Sequence, residues 1–316
     1  MIKNLNFDDV HLVPRVVSEI KSRDDIKIKI NLGNLTLTSP IIASPMKDVC
    51  DGKVAKEMHR LGGLGIIHRF MSIEDQLKEY KQTETSACAI GIDEYSLDRF
   101  KALRNAGCNL FCIDVANGAS VFVKNMIERI STEDISIIVG NVSSKECYSW
   151  LEQFDKVKAI RTLIATGGAC TTKNATGVYY GAASCIKECA SVKKRTLLIA
   201  DGGVREPSDL CKAIALGADL VILGNTIAAT SDSPAEILKK EGKLYKIYHG
   251  SASYEIQRHY REKPKYIEGR TRLLEFTGES LEALVNRFCE GLRSSMSYFN
   301  AKTLQEFKNN ATFVYN

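Results

Sequence analysis

The sequence predicts a (β/α)8 barrel, an α/β fold, running over residues 1–316, and three observations predict it. Short apolar runs ending in Gly, Asp or Asn alternate with segments of helical spacing. The runs recur about every 25 residues, room for one strand, one helix and two loops, as parallel βα units require. No Gly/Ser/Pro-rich linker interrupts the series, so one closed barrel with N- and C-terminal extensions and no inserted domain is expected. A doubly wound open sheet would more often carry a Gly-x-Gly-x-x-Gly turn after its first strand, and that turn is absent.

The expected strands lie at 40–43, 65–68, 87–91, 110–114, 135–140, 159–164, 197–200 and 220–223. Helix starts support the count. Ser143-Ser144-Lys145-Glu146 reads as a capping box, in which the serine and glutamate side chains satisfy first-turn amides. Pro207 and Pro234 each stand at or near an expected first helical turn, where a missing N–H costs little.

Composition narrows the function classes. With 44% hydrophobic and 26% charged residues the chain can bury a large core. No apolar run is long enough to span a bilayer, and residues 1–9 lack the apolar centre of a signal peptide, so a cytoplasmic protein is expected. The ten cysteines are scattered without Cys-x-x-Cys spacing, which favours reduced thiols. Cys185 and Cys189, four apart on an expected helix, read as core. A formal charge of +5 is interleaved with acids and forms no basic stripe, which argues against nucleic-acid binding and leaves small anionic ligands.

In a barrel of this kind chemistry belongs at the C-terminal ends of the strands. The residues there are Ala43-Ser44-Pro45-Met46, Asp114-Val115-Ala116-Asn117-Gly118, Gly140-Asn141-Val142, the loop Ala169-Cys170-Thr171-Thr172-Lys173, Asp201-Gly202-Gly203 and Leu223-Gly224-Asn225. Glycines after the seventh and eighth strands let backbone amides approach a phosphate, although glycines can also simply turn the chain. Cys170, taken alone, would be a small buried hydrophobe. Its neighbours Thr166-Gly167-Gly168-Ala169 leave the backbone uncrowded, and Thr171 and Thr172 offer hydroxyls to a reacting group.

Together these motifs resemble the inosine monophosphate dehydrogenase and guanosine monophosphate reductase family, from Asn6 to about Phe307. The resemblance implies that Cys170 attacks C2 of a purine nucleoside monophosphate and forms a covalent adduct, with hydride passing to or from a nicotinamide cofactor. It implies that Asp201 holds the ribose hydroxyls, that Gly168, Gly202, Gly203, Gly224 and Asn225 surround the phosphate, and that Tyr248, in Tyr248-His249-Gly250-Ser251, is a further phosphate ligand. Ser44 and Met46 would pack near the nucleotide, with Gly250 and Ser251 beside it. Asp114, Ala116, Asn117, Gly118 and Asn141 would line the cofactor side. A monovalent cation, K+, on the backbone of Gly167 and Cys170 and a homotetramer are further implications.

Direction follows from what the resemblance does and does not include. A dehydrogenase would carry a mobile flap with an Arg-Tyr pair and usually an insert of about 120 residues after the second strand. The stretch 65–87 is too short for that insert, and Arg258-His259-Tyr260 has the wrong spacing for the pair. Asp114 to Gly118, Thr176-Gly177-Val178-Tyr179-Tyr180 and Glu188-Cys189-Ala190 look more like reductase sequences. A reductase would release ammonia with a proton supplied through Thr172 and Glu268, then use NADPH to form inosine monophosphate. A solvated loop carboxylate is the plain alternative for Glu268. A dehydrogenase using NAD without the insert, and a nucleotide-binding protein of the same fold with weakened turnover, are the alternative functions. The chain also departs from the family pattern. Leu163-Ile164-Ala165-Thr166-Gly167-Gly168 stands where Gly-Ile-Gly-Pro-Gly-Ser is usual, Asn225 replaces a serine, Lys47 an aspartate and Lys265 an arginine.

Overall fold

The computed structural model describes residues 4–83, 85–258, 262–276 and 278–316; His259 and Tyr260 of the triplet Arg258-His259-Tyr260, and residues 1–3 of the N-terminal stretch 1–9, lie outside them. Eight parallel strands close into a barrel. They are β1 (Ile41–Ala43), β2 (Leu64–Ile67), β3 (Ala87–Ile90), β4 (Leu110–Asp114), β5 (Ser136–Val142), β6 (Val157–Thr162), β7 (Leu197–Asp201) and β8 (Leu220–Leu223). Neighbours in sequence are neighbours in the barrel, and β8 pairs with β1 through Val221 and Ile41 to close it. Every residue of β1, β2, β3 and β8 is buried, as expected for parallel strands covered on both faces.

Helices fill the gaps between strands, and several begin with a capping side chain close after the strand. Asp51, Ser72, Asp93, Ser120 and Ser144 each accept the backbone N–H three residues on. A cap of this type stabilises its helix by about 1 kcal/mol. The helix after β5 therefore starts one residue later than the capping-box reading placed it: Ser144 is the cap, and the Ser143 hydroxyl instead accepts the Ile164 N–H at 2.6 Å. Pro207 opens the helix Pro207–Ala215 as expected. Pro234 does not open one; it lies in the turn before a strand, Ile237–Lys240.

That strand, β9 (Ile237–Lys240), forms an antiparallel sheet with β10 (Lys243–His249) and β11 (Thr271–Glu275) beyond the last barrel strand. The long helix Leu281–Tyr298 then packs on the helix Pro207–Ala215, with Gly291 leaving room for the Pro207 ring. Residues Val10–Leu12 and Phe313–Tyr315 pair antiparallel, so the extensions from both sides of the barrel meet. Cys185 and Cys189 are buried, and all ten cysteines are free thiols. No helix among the described residues is long and apolar enough to cross a membrane.

Candidate active site

A cleft of about 450 Å3 opens at the C-terminal ends of the strands. Ser44, Met46, Asp114, Ala116, Asn141, Gly167, Cys170, Thr172, Asp201, Tyr248, Gly250, Ser251 and Glu268 all line it. Gly168, Gly202, Gly203, Gly224, Asn225, Asn117 and Gly118 do not. Asn117 is exposed and its side chain accepts the Ala119 N–H at 3.1 Å. Gly118 is buried and donates to the Asn141 carbonyl at 2.7 Å, so it packs the loop rather than facing the cleft.

Cys170 is held by backbone on both sides. Its N–H donates to the Gly167 carbonyl at 3.0 Å, and it bridges antiparallel to Gly269. Thr171 N–H donates to the Glu268 carbonyl at 2.9 Å, and Arg270 N–H to the Ala169 carbonyl at 3.0 Å. Three backbone segments, around residues 169, 250 and 269, thus touch edge to edge. Only glycine fits two of the contacts: a Cβ on Gly250 would stand 2.9 Å from the Ala169 carbonyl oxygen, and one on Gly269 2.8 Å from the Ser253 nitrogen. This clamp brings Glu268 to the cysteine from about a hundred residues away. The Cys170 thiol donates to Thr172 Oγ1 at 3.2 Å, and the Thr172 hydroxyl donates to Glu268 Oε2 at 2.7 Å. Glu268 is half-buried and bonded, so the alternative of a solvated loop carboxylate does not hold.

Asp201, the last residue of β7, accepts three hydrogen bonds on one oxygen. Asn141 Nδ2 donates to Oδ2 at 2.8 Å, and Arg161 Nε and Nη2 at 2.9 and 2.7 Å. Arg161 also pairs with Asp114 at 2.7 Å and reaches the Cys112 sulfur at 3.3 Å. Sequence reasoning missed this arginine. The available signal was a charge inside the apolar run Ala159-Ile160-Arg161-Thr162-Leu163, because a buried arginine must be paired. Burial opposes the Arg161 charge, but the Asp201 and Asp114 carboxylates outweigh it and hold the guanidinium protonated. A second arginine, Arg69, lines the cleft next to Phe70; its buried Nε has no hydrogen-bond partner among the described residues and lies 3.5 Å from Asp114 Oδ2.

The loop leaving β6 is strained. Leu163 and Ala165 adopt φ of 79° and 66°, a region that side chains other than glycine enter at a cost of about 1–2 kcal/mol each. The strand ends at Thr162 rather than at the expected 164 because the backbone reverses hand at Leu163.

Gly168 stands beside Asn225 and the guanidinium of Arg272, another residue the sequence did not single out, and Gly224 stands beside Tyr248, which lines the cleft. A Cβ on Gly168 would lie 2.8 Å from Arg272 Nη1 and 3.7 Å from Asn225 Nδ2, and one on Gly224 would lie 2.8 Å from the Tyr248 hydroxyl. Burial raises the Tyr248 phenol above its ordinary value and keeps it a hydroxyl, which donates to the Met46 sulfur at 3.2 Å. Gly202 and Gly203 turn the chain after β7 with φ of 124° and 77°; a Cβ on Gly202 would lie 2.4 Å from the Thr166 hydroxyl and 3.2 Å from the Gly167 nitrogen.

The chain is similar to known proteins along nearly its whole length. The profile of the IMP dehydrogenase / GMP reductase domain matches residues 4–316. The GMP reductase of Lactobacillus delbrueckii subsp. bulgaricus is 31% identical over 96% of this chain and 92% of its own length. That of Streptococcus gordonii is 31% identical over 95% and 91%. The inosine-5'-monophosphate dehydrogenase of Cryptosporidium parvum is 29% identical over 99% and 92%. With the profile spanning nearly the whole barrel, the chain belongs to the IMP dehydrogenase / GMP reductase family of purine nucleotide oxidoreductases.

Proposed function

We propose that the chain is a GMP reductase, converting guanosine monophosphate to inosine monophosphate and ammonia with NADPH through an adduct on Cys170. The observation that carries this reading is the hydrogen-bonded chain from the Cys170 sulfur through Thr172 to Glu268. Its polarity fits the chemistry. A thiol proton passed through the Thr172 hydroxyl leaves a thiolate at Cys170 and a carboxylic acid at Glu268. The thiolate forms the S–C2 bond. The proton then returns through Thr172 to the exocyclic nitrogen, and the C2–N bond breaks with ammonia as the leaving group. When bound, the nicotinamide cofactor supplies the hydride to C2. The S–C2 bond finally breaks, its electron pair returning to Cys170. One hydride and one proton are consumed for each ammonia released.

The open side of the cleft fits a nicotinamide cofactor: Phe70, Val115 and Ala116 offer an apolar wall, with Arg69 and Lys265 as nearby cations. Asp114 and Asn141 would border it. On the nucleotide side, among the described residues Asp201 Oδ1 receives no hydrogen bond, which leaves it for the ribose hydroxyls. Gly202, Gly203, Gly224, Asn225 and Tyr248 would surround the phosphate. Carbonyls of Gly167 and Cys170 would hold a monovalent cation such as K+. The same reading makes residues 1–316 a single catalytic unit, working in the cytoplasm as a homotetramer.

Alignment length supports the reductase over the dehydrogenase. The reductases align over 312 and 307 residues, close to the 316 of this chain, whereas the dehydrogenases align over 375 and 379, so they carry segments with no counterpart here. The test is Glu268→Gln. Ammonia release from guanosine monophosphate should fall by at least about 100-fold, since an amide cannot deliver the proton. The same variant, given inosine monophosphate and oxidised cofactor, should still form the cysteine adduct and reduced cofactor in a single turnover once the pH is raised enough to ionise the thiol without the carboxylate, because that half-reaction needs no acid for a leaving amine. Equal loss of both half-reactions at that pH would overturn the proton-relay role. Steady reduction of NAD by the parent with inosine monophosphate, without ammonia release from guanosine monophosphate, would make it a dehydrogenase.

A further inference from the structure

We infer that Arg272 is a phosphate ligand of the bound nucleotide, its guanidinium occupying the space that a serine side chain at position 168 would fill. The inference rests on the reading of the substrate as a nucleoside monophosphate. Arg272 sits directly opposite Tyr248 in the antiparallel pair of β10 and β11. Opposed residues in such a pair project from the same face of the sheet, so the guanidinium and the phenol are directed together. Arg272 Nη1 donates to the Gly168 carbonyl at 3.2 Å, which fixes one edge of the fork. The other nitrogens make no ion pair among the described residues.

Position 168 explains why the arginine is there. A Cβ on Gly168 would stand 2.8 Å from Arg272 Nη1, closer than real contacts allow. A serine at 168 would therefore displace the guanidinium from this pose, a shift open to the far end of a flexible side chain. Where the family pattern has a serine, this chain has the glycine that admits the guanidinium. The exchange replaces a neutral hydroxyl donor by a cation with parallel N–H groups, a better match to a phosphate dianion. The other residues expected around the phosphate, Gly202, Gly203, Gly224, Asn225 and Tyr248, carry no positive charge, so Arg272 is the group that neutralises the ligand there.

Calorimetric titration with guanosine monophosphate and with guanosine tests this. The parent should bind the monophosphate more tightly than the nucleoside. Arg272→Ala should weaken the monophosphate by at least about tenfold while guanosine changes by less than about twofold. Arg272→Gln should behave like the alanine variant, Arg272→Lys should fall between it and the parent, and Gly168→Ser combined with Arg272→Ala should recover part of the lost affinity. If Arg272→Ala does not fold, the glutamine and lysine variants make the same comparison. Monophosphate affinity within about twofold of the parent in the neutral variants, or an equal loss for guanosine, overturns the inference. A parent that binds guanosine as tightly as the monophosphate would remove the monophosphate reading itself, and the inference with it, before any variant is made.

Discussion

Asp201 and Asp219 flank the same pair of barrel strands at opposite ends, one closing β7 at the cleft, the other preceding β8 at the far side. Their side chains are equally buried, each 13% exposed. Their bonding differs. Asp219 uses both oxygens: Oδ2 accepts Lys193 Nζ and the Leu198 N–H, each at 2.7 Å, and Oδ1 accepts Lys308 Nζ. Asp201 takes three donors on Oδ2 alone. A carboxylate that only holds the fold is saturated by the fold. The one at the mouth is oriented through one oxygen, and among the described residues its other oxygen receives no donor, which matches the division of a barrel into a stability end and a chemistry end.

The strongest way to break this contrast is Arg161→Ala, which leaves Asp114 and Asp201 without their shared buried cation. Removing one partner of such a network should cost about 3–5 kcal/mol in urea unfolding. A loss under about 1 kcal/mol would mean that water already satisfies both carboxylates and that orientation at the cleft does not depend on the arginine.

Asp219→Asn should cost less, about 1–3 kcal/mol, because the amide keeps one acceptor. Activity per folded molecule should not change. Its pH dependence sharpens the comparison. Burial alone would raise the Asp219 pKa, but Lys308 and Lys193 outweigh it and hold the pKa below its ordinary value. A carboxylate lowered in the folded state stabilises above its unfolded pKa of about 4 and loses that contribution as pH falls through the folded value. Parent stability should therefore drop as pH falls below about 4, and the drop should be shallower in Asp219→Asn. Parallel curves would show that the two lysines do not stabilise the charged form.

The smallest expected effect lies in the strained loop at the mouth. Ala165→Gly relieves a φ of 66° and should stabilise the chain by up to about 1 kcal/mol, read as a small rise in Tm. A fall in Tm would show that the gain in unfolded-chain freedom outweighs the relief.

The apolar runs made the barrel legible, because a parallel strand buried on both faces leaves an uninterrupted mark in the sequence. Strand ends were legible only to within a residue or two. Where β6 stops depends on the hand of the backbone at Leu163, and leucine is a residue that ordinarily signals extended structure there. Cys170 and Thr172 could be picked out because they are adjacent on one loop. Arg161 and Arg272 could not, since their partners Asp201 and Gly168 lie 40 and 104 residues away and no local pattern links them. Asn117 and Gly118 follow Asp114 in sequence, but their bonds are to the loop itself and to the Asn141 carbonyl, which no local pattern announces.

The burial of the thiols has a practical consequence. Of ten cysteines only Cys147 and Cys170 are not buried, and Cys147 sits on the helix Lys145–Leu151, away from the cleft. Alkylating reagents reach thiols by exposure and thiolate character. In the native fold, counting modified sulfurs therefore reduces to two sites, one of which lies in the cleft proposed to hold the nucleotide. The protein carries its own occupancy gauge, with Cys147 as the internal standard and no label to be engineered.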